Sequence, residues 1–302
     1  MPDDSGRLIR FDALAMCVAI AFVVLWSSAF VTARIIVAHA PPLMALSARF
    51  LISGVIAVAL ARALGQSWRL VPGQWRAVVI FGLCQNGLYL GLNFIALQWV
   101  EASVAVIIAA AMPLIVALLG WLFRGEGVTR LGLAGLIAGF AGVALIMGTR
   151  LTGGTDPLGI LLCVIGATAL AVATMTVREA TAGKNLLMIV GLQMMVGSAA
   201  LAVAGALTET PRVDIVPALI LSFAYQIFFP GLAATLMWFW LVGRIGAVRA
   251  STYHFLNPFF GVAIAALMLG ESVSMLDMIG VAIAALGILA VQLSRTRTQP
   301  RV

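Results

Sequence analysis

Residues 107–116 read IAAAMPLIVA and residues 252–261 read TYHFLNPFFG. The two stretches share a proline, Pro113 in one and Pro258 in the other, each near the middle of an apolar run of about 20 residues, the length that crosses a hydrocarbon core. Their separation, 258 − 113 = 145, holds without a gap when 93–148 is laid on 238–293. Gly125-Glu126 then meets Gly270-Glu271, Gly135 meets Gly280 and Gly142 meets Gly287. Phe94 with Phe239, Ala102 with Ala247, Ala105 with Ala250, Val128 with Val273 and Leu131 with Leu276 also match. A bias toward Ala, Gly, Val and Leu produces scattered identities of this kind. It does not readily produce an ungapped register carrying a paired proline and a paired Gly-Glu. The chain therefore reads as a duplication.

What is duplicated follows from composition. Of 302 residues, 63% are hydrophobic and 10% charged, against about 25% charged in a soluble domain. An ordinary soluble protein is excluded. Breaking the chain at charged, Pro-rich and Gly-rich stretches predicts ten membrane spans, at 12–34, 43–62, 76–98, 102–123, 130–149, 157–178, 186–207, 217–243, 248–269 and 275–293. Each repeat holds five helices, an odd number, so the second copy enters the bilayer from the opposite side. The expected fold is all-α and polytopic: two inverted five-helix repeats, 12–149 and 157–293, around a central cavity, with short tails 1–11 and 294–302. Inverted halves give one framework two mirror-like states, open alternately to each side, which points to a carrier.

Charge sets the orientation. With the N-terminus inside, fourteen basic residues fall on the cytoplasmic side and three, Arg34, Arg150 and Arg212, on the other, leaving Arg49 within the second span. The net charge of +7 is read as this membrane bias and not as a nucleic-acid surface. Cys17, Cys84 and Cys163 are isolated and form no C-x-x-C pair, so neither a disulfide framework nor a metal site is expected. Ala38-His39-Ala40 resembles a cleavage site, but the apolar run from Ala13 to about Ala33 exceeds a signal core and predicts a retained first helix.

Leu25-Trp26-Ser27-Ser28-Ala29-Phe30 in the first span, Pro41 followed by Arg49-Phe50 in the second, and the duplicated Pro, Gly-Glu and Gly-rich pattern resemble the drug/metabolite transporter superfamily, in its ten-helix branch with two EamA-type domains. Within that branch the chain is similar to bacterial exporters of amino acids, including aromatic ones. The resemblance implies a multi-pass protein of the bacterial inner membrane. The second copy departs from the pattern, with Leu170-Ala171-Val172 in place of the Trp-Ser pair and no buried Arg, so the halves are expected to do unequal work.

In hydrocarbon every polar group needs a partner, so polar residues at depth are either interhelical glue or pathway. In the third span Asn86, Tyr89 and Asn93 form one helical stripe, with Gln85 at its edge, and are read as a cavity lining. The eighth span offers Tyr225, Gln226 and Pro230; Trp238 and Trp240, nearer the cytoplasm, read as an interfacial belt. Trp26, with Phe30 one turn away, is either core packing or an aromatic wall for a substrate. In the ninth span Tyr253 and Asn257, four apart, share a face, and His254 is the titratable group at depth with a near-neutral ordinary pKa. Pro113 and Pro258 free the carbonyls of Ala109 and His254 and are expected to act as hinges or bends. Arg49 either snorkels outward, pairs with a carboxylate such as Glu101 in a gate, or serves an anionic group in transit.

All eleven acids, from Asp3 to Asp277, fall in loops or at span ends, which argues against proton or sodium coupling through a buried carboxylate. Gly132, Gly135, Gly139, Gly142, Gly280 and Gly287 make smooth faces for close helix approach; they could alternatively join two chains, but a chain holding both halves needs no second copy. The leading expectation is a monomeric carrier of small amphipathic metabolites, most simply amino acids leaving the cell, with a small molecule and the bilayer as partners and no cofactor. Other metabolites or drugs and the opposite direction are the nearest rivals. A channel is a weaker one, as is an enzyme, since neither H-E-x-x-H nor G-x-S-x-G occurs.

Overall fold

A computed structural model describes residues 12–177, 185–246, 250 and 252–298, and among these all regular structure is helical. The helices are α1 Ala13–Val37, α2 Pro42–Ala63, α3 Pro72–Ala96, α4 Ala102–Arg124, α5 Arg130–Thr152, α6 Pro157–Val177, α7 Leu186–Thr208, α8 Pro217–Ile245, α9 Tyr253–Leu269 and α10 Met275–Thr298. Nine are long and apolar enough to cross a membrane, and α9 is a shorter apolar helix among the described residues. The expected start of α9, at 248, lies outside them. Proline opens α2, α3, α6 and α8, where its missing N–H costs no helical bond. α4 and α9 end on Gly125 and Gly270, both left-handed at φ 63° and 67°, a conformation that glycine adopts without penalty.

The helices pair along the inverted repeat. α2 packs along α7, α5 along α10 and α4 on α9; α1 lies against α8 and α9, and its counterpart α6 lies against α3 and α4. The α5–α10 seam is backbone on backbone: a Cβ added to Gly287 would stand 2.3 Å from Gly139 N, and one on Gly142 would stand 2.5 Å from Ala284 N. Each half also caps helices of the other. Leu43 and Met44 N–H donate to the Glu209 carboxylate at 2.8 and 2.9 Å, and Met188, at 43 + 145, donates its N–H to Gln66 Oε1 at 3.0 Å. Ala102 and Ser103 N–H donate to Glu271 at 2.7 and 3.0 Å. These bonds satisfy donors that a helix start leaves orphaned, and a carboxylate there also opposes the helix dipole.

Four helices depart from a uniform α geometry, in matched pairs. α3 carries a π-helical stretch, Gly82–Leu90, and α8 carries another, Ile227–Ala233, beginning 227 − 82 = 145 residues later. α4 breaks at Ala111, between Ala102–Ala110 and Met112–Arg124, and α9 opens with a 3₁₀ turn, Tyr253–Leu256, before Asn257–Leu269. Pro113 and Pro258 sit in the first turn of the later segments. The bends expected in mid-helix are thus made as helix restarts, which dispose of the missing donor without a broken internal bond.

Candidate functional site

The helices enclose a cavity of about 360 Å³ at mid-depth, a size suited to a small metabolite. Trp26, Arg49, Gln85, Asn86, Tyr89, Asn93, Pro113, Gln226, His254 and Asn257 all line it. Of the sequence-predicted positions, Tyr253 and Pro258 do not: Pro258 is buried, and Tyr253 packs against the apolar cluster that includes Phe22, Val23 and Leu241. The reason for Tyr253 is the 3₁₀ turn. At three residues per turn, positions i and i+3 eclipse, so the residue sharing a face with Asn257 is His254, four-residue α spacing no longer applying. The two meet with Asn257 Nδ2 2.8 Å from His254 Nδ1.

The π-stretches explain how so many α3 side chains reach one cavity. Phe81, Gln85, Asn86, Tyr89, Leu90, Asn93, Phe94 and Leu97 all line it, a stripe recurring about every four residues. A pure α-helix would carry a four-residue stripe around its axis, whereas nine residues of wider π winding hold it on one side. Neither π-stretch was visible in the sequence, though Pro230 inside the second marks a place where an α-helix lacks a donor.

Two further readings are corrected. Trp238 is not part of an interfacial belt: it lines the cavity, its ring centroid 5.3 Å from that of His254, with Phe22 and Trp26 closing the imidazole from other sides at 5.5 and 5.9 Å. Trp240 is exposed, with the Arg244 guanidinium over its ring. Glu101 is not a partner of Arg49. It is paired with Arg150, which also reaches Asp277 at 3.0 Å and donates to the Ser272 carbonyl at 3.1 Å. Snorkelling does not describe Arg49 either, since the residue is 6% exposed, lines the cavity and lies over the Phe50 ring. Tyr225 bonds Ser28 Oγ at 2.7 Å outside the lining. Sequence reasoning passed over Gln193, Thr174 and Phe22; Gln193, an amide in an apolar run, carried the same signal as Gln85.

Several lining residues keep a buried polar atom without a partner: Arg49 Nε, Tyr89 OH, Asn93 Oδ1, Gln226 Oε1 and Asn257 Oδ1. Two amide orientations are set by carbonyl acceptors. Asn93 Nδ2 donates to the Tyr89 carbonyl at 2.7 Å, and Gln226 Nε2 donates to the Ala29 carbonyl at 2.8 Å, which leaves the oxygens as the free ends. The 145-residue offset also sorts the lining by chemistry. Arg49 corresponds to Met194, Tyr89 to Ala234, Asn93 to Trp238, His254 to Ala109, Asn257 to Met112 and Gln226 to Phe81, and all of these line the same cavity. Polar residues thus stand at positions whose counterparts are apolar.

The cavity extends unequally toward the two ends. Toward the face where α1 begins, its lining includes the partly exposed Phe81, Thr174, Leu186 and Gln193. Toward the other face, Phe30, Phe94 and Leu97 are buried, with Val100 and Ala102 beyond them fully enclosed. That far end is tied by Arg34 donating to the Leu97 carbonyl and by the Arg150–Glu101–Asp277 cluster.

Among the described residues, ten apolar helices in inverted halves around a mid-depth cavity have the build of a polytopic membrane transporter. The pattern of the EamA-like transporter family matches residues 13–148 and again 157–293, and the chain belongs to that family. It is 27% identical over 254 residues to the "Uncharacterized transporter YvbV" of Bacillus subtilis, covering 84% of this chain and 83% of that protein. It is 24% identical over 279 residues to the "Uncharacterized inner membrane transporter YedA" of Escherichia coli K12, covering 91% and 89%, and 27% identical over 255 residues to "Protein PecM" of Dickeya dadantii, covering 83% of each. A crystal structure at 21% identity superposes with a TM-score of 0.66 over 95% of this chain and 99% of that one, a likeness of fold.

Proposed function

We propose that the chain carries small amphipathic metabolites, amino acids and aromatic amino acids among them, out of the cell across the bacterial inner membrane by alternating access. The observation that supports this best is the division of the cavity, with amides, a phenol and a guanidinium at positions whose repeat counterparts are apolar or aromatic. A zwitterion bearing an apolar side chain uses both kinds of wall, whereas a strongly anionic nucleotide finds one guanidinium and no lysine among the described residues of the lining. The positive-inside bias supports a cytoplasmic location for both termini and for the face toward which the cavity extends. The described conformation is then the one loaded from within. Both inverted halves lie in one chain, so the monomer is the working unit. With every acid in a loop or at a span end, transport is either passive or takes its proton through His254 or the cargo itself.

Purified protein in liposomes, assayed for counterflow of a labelled amino-acid panel with and without a pH gradient, tests this directly. Counterflow of apolar amino acids is expected; transport of sugars or nucleotides with none of any amino acid would refute it. A pH-driven flux that disappears in His254→Ala would replace passive transport by proton coupling.

A further inference from the structure

Arg49 has no counterion among the described residues. It is 94% buried, since its exposure is 6%, and no described residue accepts a hydrogen bond from its guanidinium, whose company is the Phe50 ring 5.0 Å away. The acids that might have neutralised it are engaged elsewhere: Glu101 and Asp277 with Arg150, Glu209 and Glu271 at helix starts. A guanidinium largely withdrawn from water, with its Nε buried and unpartnered, is costly, and the planar fork of its nitrogens matches a carboxylate in a two-bonded pair. In the same lining, Asn93 and Gln226 have their amide nitrogens committed to carbonyls and their oxygens unpaired, which makes them acceptors in wait of a donor. Among the described lining residues, an unpaired guanidinium and the unpaired amide oxygens of Asn93 and Gln226, joined by that of Asn257, are the complement of a carboxylate and an ammonium on one small molecule.

We infer that Arg49 anchors the cargo's carboxylate and that Asn93 and Gln226 receive its ammonium group. The assignment rests on the amino-acid reading above and adds its recognition chemistry: the cavity is completed electrostatically only when a zwitterion enters. The unpaired Arg49 is also a destabilising element of the empty protein, a cost that the cargo removes. A merely structural arginine would behave in the opposite way.

The test uses the full chain in detergent, with binding of L-phenylalanine, its methyl ester and 3-phenylpropanoate measured on wild type, Arg49→Gln and Arg49→Lys, together with melting of each protein without ligand. Wild type is expected to bind the amino acid at least tenfold more tightly than the ester. Arg49→Gln should weaken the amino acid by about 10–100-fold, the worth of a hydrogen bond to a charged group, while leaving the ester unchanged. Arg49→Lys should keep part of the affinity, and unliganded Arg49→Gln should melt higher than wild type. Equal binding of acid and ester, unaltered amino-acid binding in Arg49→Gln, or a lower melting temperature in that variant overturns the anchor and leaves amino-acid transport standing. Binding of 3-phenylpropanoate through Arg49 without binding of the amino acid retains the anchor and overturns the zwitterion; binding of none of the three overturns both.

Discussion

Gly287 and Gly148 show how differently one residue type can be employed. A methyl group on Gly287 would fall 2.3 Å from Gly139 N and 2.5 Å from its Cα, with backbone on both sides and nothing able to yield cheaply. Gly148, in the same α5–α10 pair of helices, has nothing within 4 Å of the point where a Cβ would stand. Gly287→Ala is therefore expected to destabilise by about 1–3 kcal/mol or more, through overpacking, and Gly148→Ala to be neutral or to stabilise by up to about 1 kcal/mol, through helix propensity. Thermal melting in detergent separates the two; equal behaviour would contradict the close α5–α10 seam. That these glycines make smooth helix faces was readable from their spacing. Which glycine opposes which backbone was not, because the partner helix lies more than a hundred residues away. The same holds for polar residues: Asn93 and Gln226 announced themselves by lying in apolar runs, but only the bonds of their amide nitrogens show which end of each is free.

At the level of elements, the far end of α4 is set by charge. Burial holds the Glu101 carboxyl above its ordinary value of 4.5, outweighing the opposing pull of Arg150 and Arg34, while Glu271 and Asp277 push in the same direction as burial. The closed end therefore binds this proton more tightly than an opened, solvated end. Its contribution to closure is fully present below the ordinary value and is lost as pH rises through the raised one. A cysteine placed at Ala105, fully buried near that end, is expected to gain labelling rate from pH 4.5 toward neutrality beyond the gain that the rising thiolate fraction gives an exposed cysteine, and that excess should vanish in Glu101→Gln. Labelling that slows with rising pH would reverse the sign. The sequence located the acids at span ends and located both prolines; it did not reveal that Arg150 would gather Glu101 and Asp277, since these come from three different helix ends. Nor did it reveal the 3₁₀ turn that exchanges Tyr253 for His254, because a tighter winding over four residues depends on what packs around it.

For the molecule as a whole, the unequal extent of the cavity makes a directional statement. In the described state a cysteine at Gln193 should react with a polar reagent from the face where α1 begins, and one at Leu97 should be silent from either side. Under the alternating access proposed above, excess cargo supplied from the opposite face should raise labelling at Leu97 and lower it at Gln193. Simultaneous reactivity at both positions would indicate a channel. The amino-acid sequence by itself determined the ten apolar runs, their duplication at an offset of 145, the paired prolines and the polar residues at depth, because hydropathy and spacing are local properties of a chain. Only the tertiary structure decided which of those polar residues meet, where the backbone winds as a π- or 3₁₀-helix, and that Arg150 is paired while Arg49 has no counterion among the described residues. Those outcomes depend on contacts between distant helices, where packing space and available partners, not local pattern, choose among conformations of similar energy.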